Sequence, residues 1–187
     1  MPNVYPPVAG VELKGQQPHA APTADWAAIA AQVPNLSGER LLVLGCGDGW
    51  LCRTAVVAGA LTVQGVDASS PAIMSARKMA SSSRLRYRLM PESRWSIIGG
   101  QYTLILVTAV KPSNIDQLSR LPRLFRHGHG SIILCGDASS IGQLTEAIFD
   151  ADRRPGSWRE AEAKPLPSGA AMHVLTRSRI GSQRLHD

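Results

Sequence analysis

Arg40 opens a run, Arg-Leu-Leu-Val-Leu, that reaches Leu44 and breaks at once into Gly45-Cys46-Gly47-Asp48-Gly49. Consecutive apolar residues with no polar alternation suit a strand covered on both faces, the condition of a strand inside a parallel sheet. The glycines then let the backbone turn sharply and approach a ligand with no Cβ in the way. Helical spacing resumes at Trp50 and stops at Gly59. A buried strand passing through a glycine turn into a helix is the start of an α/β sheet with a nucleotide-type site at the turn.

The rest of the chain repeats the alternation. Ahead of the run, Trp26, Ile29, Ala30 and Val33 recur at helical spacing behind a capping-type Thr23, and Pro34 stops them. After it, Leu61 to Val66 reads as a strand, and Ser70-Pro71 as N-cap and first residue of a further helix. Arg84 to Leu89 alternates arginine with leucine or tyrosine, which suits an edge strand with charge on one side. Tyr102 to Val107 is a second buried strand. A helical stretch over Asn114 to Arg126, restarted at Pro122, leads to a strand Ser131 to Cys135 and a helix Ile141 to Ala151. Trp158 to Ala163 and Ala171 to Thr176 pair as two closing antiparallel strands across Pro165-Leu166-Pro167-Ser168-Gly169. The expected fold is α/β: a doubly wound, mostly parallel seven-stranded sheet with helices on both faces.

With 187 residues, 44% of them hydrophobic, the chain suits one domain with its own core. Residues 1–22 carry five prolines and no apolar periodicity, so they read as an arm; 23–178 form the domain and 179–187 a tail. No apolar run approaches the roughly 18 residues that span a bilayer. The N-terminus lacks the basic start and apolar stretch of an export signal. Cys46, Cys52 and Cys135 form no C-x-x-C pair and cannot all be bridged, which suits the cytoplasm. The net charge of +6 favours anionic partners without naming one. Arg77, Lys78, Arg84, Arg86, Arg88 and Arg94 cluster with only Glu92 opposing them, a strip that reads first as a solvated helix and charged edge strand and second as a track for phosphates.

The turn itself narrows the ligand. A G-x-G-x-x-G dinucleotide fingerprint fails, because the third glycine falls one place early and Trp50 follows it; no phosphate loop ending in Gly-Lys-Ser exists either. Asp67, at the end of the second strand and eighteen residues after Gly49, is placed to accept ribose hydroxyls. Asp48 repels an anionic pyrophosphate, so a neutral-to-cationic nucleoside fits best, and S-adenosyl-L-methionine meets that description. Asp48 reads equally well as a first-turn carboxylate favoured by the helix dipole.

Leu41-Leu42-Val43-Leu44-Gly45-Cys46-Gly47-Asp48-Gly49-Trp50 and Gly65-Val66-Asp67-Ala68-Ser69 resemble the first two motifs of class I S-adenosylmethionine-dependent methyltransferases. The resemblance extends to Gln101–Thr108 and Leu121–Leu134 and covers about residues 24 to 177. It implies a Rossmann-like methyltransferase fold, with Gly45, Cys46 and Gly47 under the methionine part of the cofactor and Asp67 on the ribose. Asp48 and Trp50 would line the same mouth, with Ala68 beside Asp67 and Thr108 at the end of the fourth strand. Three positions depart from the family pattern: Val43 replaces an acidic residue, the acidic position after the third strand falls on Met90 or Pro91, and Thr103 replaces an aspartate. Glu92 stands next in line for the adenine contact.

The expected activity is methyl transfer to oxygen or nitrogen of a small molecule. Thr108 to Asn114 contains no Asn-Pro-Pro-Tyr, which weighs against the amino-group methylation associated with that motif. Lys111, Asp137 and His173 are the candidate bases, although holding nucleophile, methyl and sulfur in line needs no catalytic side chain. His127-Gly128-His129-Gly130 supplies only two local ligands and is not read as a metal site. Two other readings stay open: a catalytically silent binding or regulatory partner, and a nucleic-acid methyltransferase.

Overall fold

The computed structural model describes residues 24–33, 35–79, 82–151, 158–161 and 163–178. The arm and the tail expected from the sequence therefore lie outside the described residues. The elements run α1 (Ala24–Gln32), β1 (Arg40–Leu44), α2 (Trp50–Val57), β2 (Thr62–Asp67), α3 (Ser70–Met79), β3 (Leu85–Leu89), β4 (Leu104–Val110) and α4 (Ile115–Leu118). They continue with β5 (Gly130–Gly136), α5 (Ala138–Ala151), β6 (Trp158–Glu160), β7 (Lys164–Pro165) and β8 (Ala171–Arg177).

The strands form one sheet in the order β3-β2-β1-β4-β5-β8-β6, with the two-residue β7 also paired to β8. β1 through β5 are mutually parallel, and β8 runs antiparallel between β5 and β6. From β1 the chain winds outward to β3, then crosses back to β4 on the other side of β1. That reversal opens a crevice beyond the carboxyl ends of β1 and β4, the place where open α/β sheets take ligands.

Burial explains why β1 shows no alternation. Leu41 and Val43 enter one apolar cluster with Ile29 of α1, Leu51 and Val56 of α2 and Ile73 of α3. Leu42 and Leu44 enter a second with Leu118 of α4 and Ile141, Leu144 and Ile148 of α5. Both faces are dry, so every position must be apolar. No described helix is long and apolar enough to cross a membrane.

Several boundaries differ from the sequence reading. The cap of α3 is Ser69, whose Oγ accepts from the Ala72 amide, one residue before the expected Ser70. The stretch 114–126 is not one helix: α4 ends at Leu118, and 3-10 turns at Leu121–Leu124 and Arg126–Gly128 follow. Pro122 has no amide to continue the ladder, and Leu118, Leu121, Leu124 and Phe125 are all buried, so tertiary contacts set the path there. β4 starts later and runs to Val110, past a register shift against β5, while Tyr102 makes only an isolated bridge to Phe125. α5 starts three residues earlier than its apolar pattern, because Asp137 accepts from the amides of Ser139 and Ser140 and caps it.

A crevice at the carboxyl ends of the central strands

β1 ends at the glycine turn, whose Gly45, Gly47 and Gly49 all hold positive φ angles of 76°, 54° and 81°. At all three the missing side chain is also a packing requirement: a Cβ on Gly45 would lie 2.4 Å from the Thr108 hydroxyl. A Cβ on Gly47 would lie 2.8 Å from the Trp26 ring, and one on Gly49 would lie 2.2 Å from the Tyr87 hydroxyl. Trp26 of α1 stacks with Trp50 at 6.4 Å, so the first helix lies across the turn. The Asp25 carboxylate accepts from the Ser168 amide and pins α1 to the turn before β8.

Gly49→Ala is therefore expected to cost roughly 2 kcal/mol or more, since both the left-handed backbone and the rigid Tyr87 ring oppose it. Gly142→Ala, in α5 with open space at the added carbon, is the counterpart and should stabilise by about 1 kcal/mol. Urea unfolding of the two variants checks the pair, and effects of the same sign would contradict the assignment.

Asp67 is the last residue of β2, and both its carboxylate oxygens face the turn region. Oδ2 accepts from the Gly47 amide at 2.8 Å and Oδ1 from the Ser69 amide at 2.8 Å. An ionised carboxylate offers about four acceptor positions, so two remain for a ligand. Asp67 has no basic partner among the described residues. Asp48 is different: it accepts from the Trp50 amide at the start of α2 and lies 3.8 Å from the Arg53 guanidinium. Asp48 precedes Gly49, the N-cap of α2, so it stands outside the first turn expected for it and is engaged instead by the Trp50 amide and the Arg53 guanidinium. Arg53 is 6% exposed and also donates to the Asp48 carbonyl.

Thr108 donates its hydroxyl to the Gly45 carbonyl at 2.6 Å, joining the end of β4 to the turn. Ala68, between Asp67 and Ser69, is exposed at the mouth. Glu92 follows β3, but its carboxylate is held by the Lys111 ammonium at 2.9 Å and by Asn114 Nδ2 at 3.2 Å. Asn114 is fully buried. It donates to the Ala109 carbonyl and accepts from the Lys111 amide, which fixes the loop leaving β4.

Cys46 belongs to the turn through its backbone and through its thiol, which donates to the Gly47 carbonyl at 3.7 Å. Its side chain is wholly buried, with Sγ beside Cys52 Sγ over Gly65. The hydrogen bond with Cys46, followed by burial, holds the Cys52 thiol well above its ordinary range. Burial pushes Cys135 up to about 12. All three cysteines are free and buried, so native protein at pH 8 should resist iodoacetamide, while the guanidinium-unfolded chain takes three alkyl groups by mass spectrometry. Labelling of the native chain would contradict this.

The other sequence candidates separate. Val43 is fully buried in the apolar cluster under α1 and α2, and Met90 is buried on the opposite face; Pro91 precedes the 3-10 turn Glu92–Ile97. Thr103 sits at the far end of β4, where it accepts from the Arg40 amide and donates to the Glu39 carboxylate. That departure touches strand pairing rather than the crevice. The candidate bases each have separate partners. Asp137 caps α5, and the Ser140 and Ser139 donors hold its carboxyl below the usual range, while His173 lies 2.8 Å from Glu160. His127 and His129 stack at 6.3 Å, and the described residues hold no group of three or more metal-ligating side chains.

Trp26, Arg53, Tyr87 and Asn114 shape the site without having been singled out for it. Only Asn114 left a legible trace, the Lys-Pro-Ser-Asn sequence of a capped turn. The others depend on contacts between elements far apart in the chain.

No family model and no curated protein matches the chain. Among solved structures, an S-adenosylmethionine-dependent methyltransferase from Mesorhizobium loti superposes with a TM-score of 0.67 at 14% identity, covering 82% of this chain and 98% of that one. A ribosomal protein L11 methylase from Lactobacillus delbrueckii subsp. bulgaricus gives 0.64 at 15%, covering 82% and 78%. A TehB-like methyltransferase from Corynebacterium glutamicum gives 0.61 at 19%, covering 83% and 88%. Identities this low speak for the fold alone.

Proposed function

We propose that this chain, whose fold is that of the class I S-adenosylmethionine-dependent methyltransferases, binds S-adenosylmethionine in the crevice and transfers its methyl group to oxygen or nitrogen of a small molecule. The observation that carries the reading is Asp67: a carboxylate at the end of β2, bonded to the Gly47 amide and without a basic partner among the described residues. The donor set suits such a ligand. With Asp48 offset by Arg53 and Glu92 by Lys111, a pyrophosphate would still meet the unneutralised Asp67 carboxylate, whereas a cationic nucleoside gains from it.

A sulfonium cofactor supplies an electrophilic methyl group. The chain's own part is to place it. Asp67 accepts the ribose hydroxyls, the Gly45–Gly47 backbone lies under the methionine part, and Ala68 borders the ribose. Thr108 keeps the turn in register with β4. Asp48, with its charge offset by Arg53, lines the mouth rather than supplying the principal anchor. Glu92, already engaged by Lys111 and Asn114, presents one edge of the adenine region. Catalysis then rests on in-line positioning, with no obligatory side-chain base. Three buried free thiols suit a reducing compartment such as the cytoplasm.

A second reading, a silent partner with this fold, draws on Val43 in the core and on the Lys111–Glu92 pair. Titration calorimetry with S-adenosylhomocysteine separates the two. The enzyme reading expects saturable heat of binding, and no binding of product or S-adenosylmethionine at millimolar concentration would replace it with the partner reading.

A further inference from the structure

At the opposite end of the strands, the amino ends of β1 and β2, the start of β3 and the Gly99–Gly100 turn enclose a cavity of about 230 Å³. Arg40, Arg84 and Arg86 line it together with Gln64 and Tyr102, and no carboxylate does. Arg86 and Arg88 alternate with Leu85, Tyr87 and Leu89 and share one side of β3, the free edge of the sheet, and Arg84 stands in the turn just before it. Arg88 continues the row beyond the cavity, opposite Val66 of β2. Glu39, beside Arg40, is turned onto Thr103, and Glu92, the nearest acid to the row in sequence, is held by Lys111 and Asn114.

Protection of the edge against strand pairing accounts for Arg86 and Arg88, which are exposed. It does not account for Arg40, which enters the same cavity from two strands further in. The edge has another guard besides: Arg77 of α3 donates to the Tyr87 carbonyl. Arginines two residues apart on a strand repeat at about 6.6 Å. A lone phosphate can meet one or two of them, whereas a chain with one charge per residue can follow the whole row. Among the described residues no exposed aromatic side chain accompanies the row, so recognition there would be of charge and not of bases.

We propose that the Arg40–Arg84–Arg86–Arg88 groove docks the phosphodiester backbone of a nucleic acid without regard to sequence. The Arg40–Arg84 end of the groove lies about 16 Å, the length of a five-residue strand, from the crevice, while Arg88, opposite Val66, brings the row toward its rim. Binding here does not depend on the cofactor reading, and it is tested without cofactor.

The full chain is titrated against a fluorescently labelled 20-base-pair DNA by anisotropy between 50 and 200 mM salt, conditions in which contact with about three phosphates gives a log–log slope near −3. Micromolar binding at the low end with that slope is expected. Arg84→Ala/Arg86→Ala/Arg88→Ala should weaken it at least tenfold and flatten the slope, and exposed Arg86→Glu should weaken it in the same direction if the triple variant melts early. Arg120→Ala/Arg123→Ala, changed outside the groove, should match wild type. The proposal is overturned by no binding at 50 mM salt, or by groove variants that bind like wild type. It is also overturned if inorganic phosphate displaces the DNA tenfold better than chloride of equal ionic strength, which would make the cavity a single-phosphate pocket.

Discussion

Asp67→Ala should weaken S-adenosylhomocysteine binding at least tenfold, as read by calorimetry. Two charge-assisted hydrogen bonds to ribose hydroxyls are worth about 1.5 to 3 kcal/mol each, and losing even one of them corresponds to roughly that factor. The structure adds a second route to the same loss, because Asp67 also accepts from the amides of Gly47 and Ser69. Asp67→Asn separates the two. Its remaining carbonyl oxygen can still take the Gly47 amide, so the turn persists while the charge is gone. A cofactor affinity lowered in both variants, with an unaltered melt in Asp67→Asn, assigns the effect to the ligand contact. An unchanged dissociation constant in Asp67→Ala would remove the ribose role altogether.

Val43→Asp should destabilise the fold by about 3 to 5 kcal/mol, the usual consequence of an uncompensated charge in a dry interior. Val43 is fully buried, paired with Gly65 on one side and Leu106 on the other, and packed in the cluster shared by α1 and α2. Its position in the family pattern suggests a carboxylate directed to the cofactor; its surroundings offer that carboxylate no partner. Val43→Ala is the companion variant, expected to lose about 1.5 to 3 kcal/mol through lost burial alone. Urea denaturation at neutral pH measures both. If Val43→Asp instead retains wild-type stability and binds cofactor more tightly, the side chain reaches the crevice and the core assignment is wrong.

Local pattern carried a large part of the architecture. Leu41–Leu44 announced a doubly covered strand because both of its faces are buried, and Asp67 announced the crevice because strand ends converge on the point where the sheet reverses direction. Arg84 to Leu89 read as an edge strand for a similar reason, since only an edge tolerates charge at alternate positions. Failures cluster where tertiary contacts override local preference. Residues 114–126 carry apolar spacing compatible with a helix, yet Pro122 and four buried side chains break the segment into short turns. Glu92 stood one position from a family contact, and nothing local indicated that Lys111, nineteen residues on, would claim its carboxylate. Cys46 lay inside the motif, yet its side chain turned into the core beside Cys52 and over Gly65, a contact between elements that the motif does not show.

The position of β8 has a consequence for how the chain is made. This last strand lies between β5 and β6, so a ribosome releases β6 before the strand that must join it to the sheet exists. Until Ala171–Arg177 emerges, β5 presents a long apolar border and β6 has no partner. A nascent chain that has not yet released β8 therefore holds an open template for pairing with other chains, and ordered assembly waits on that strand.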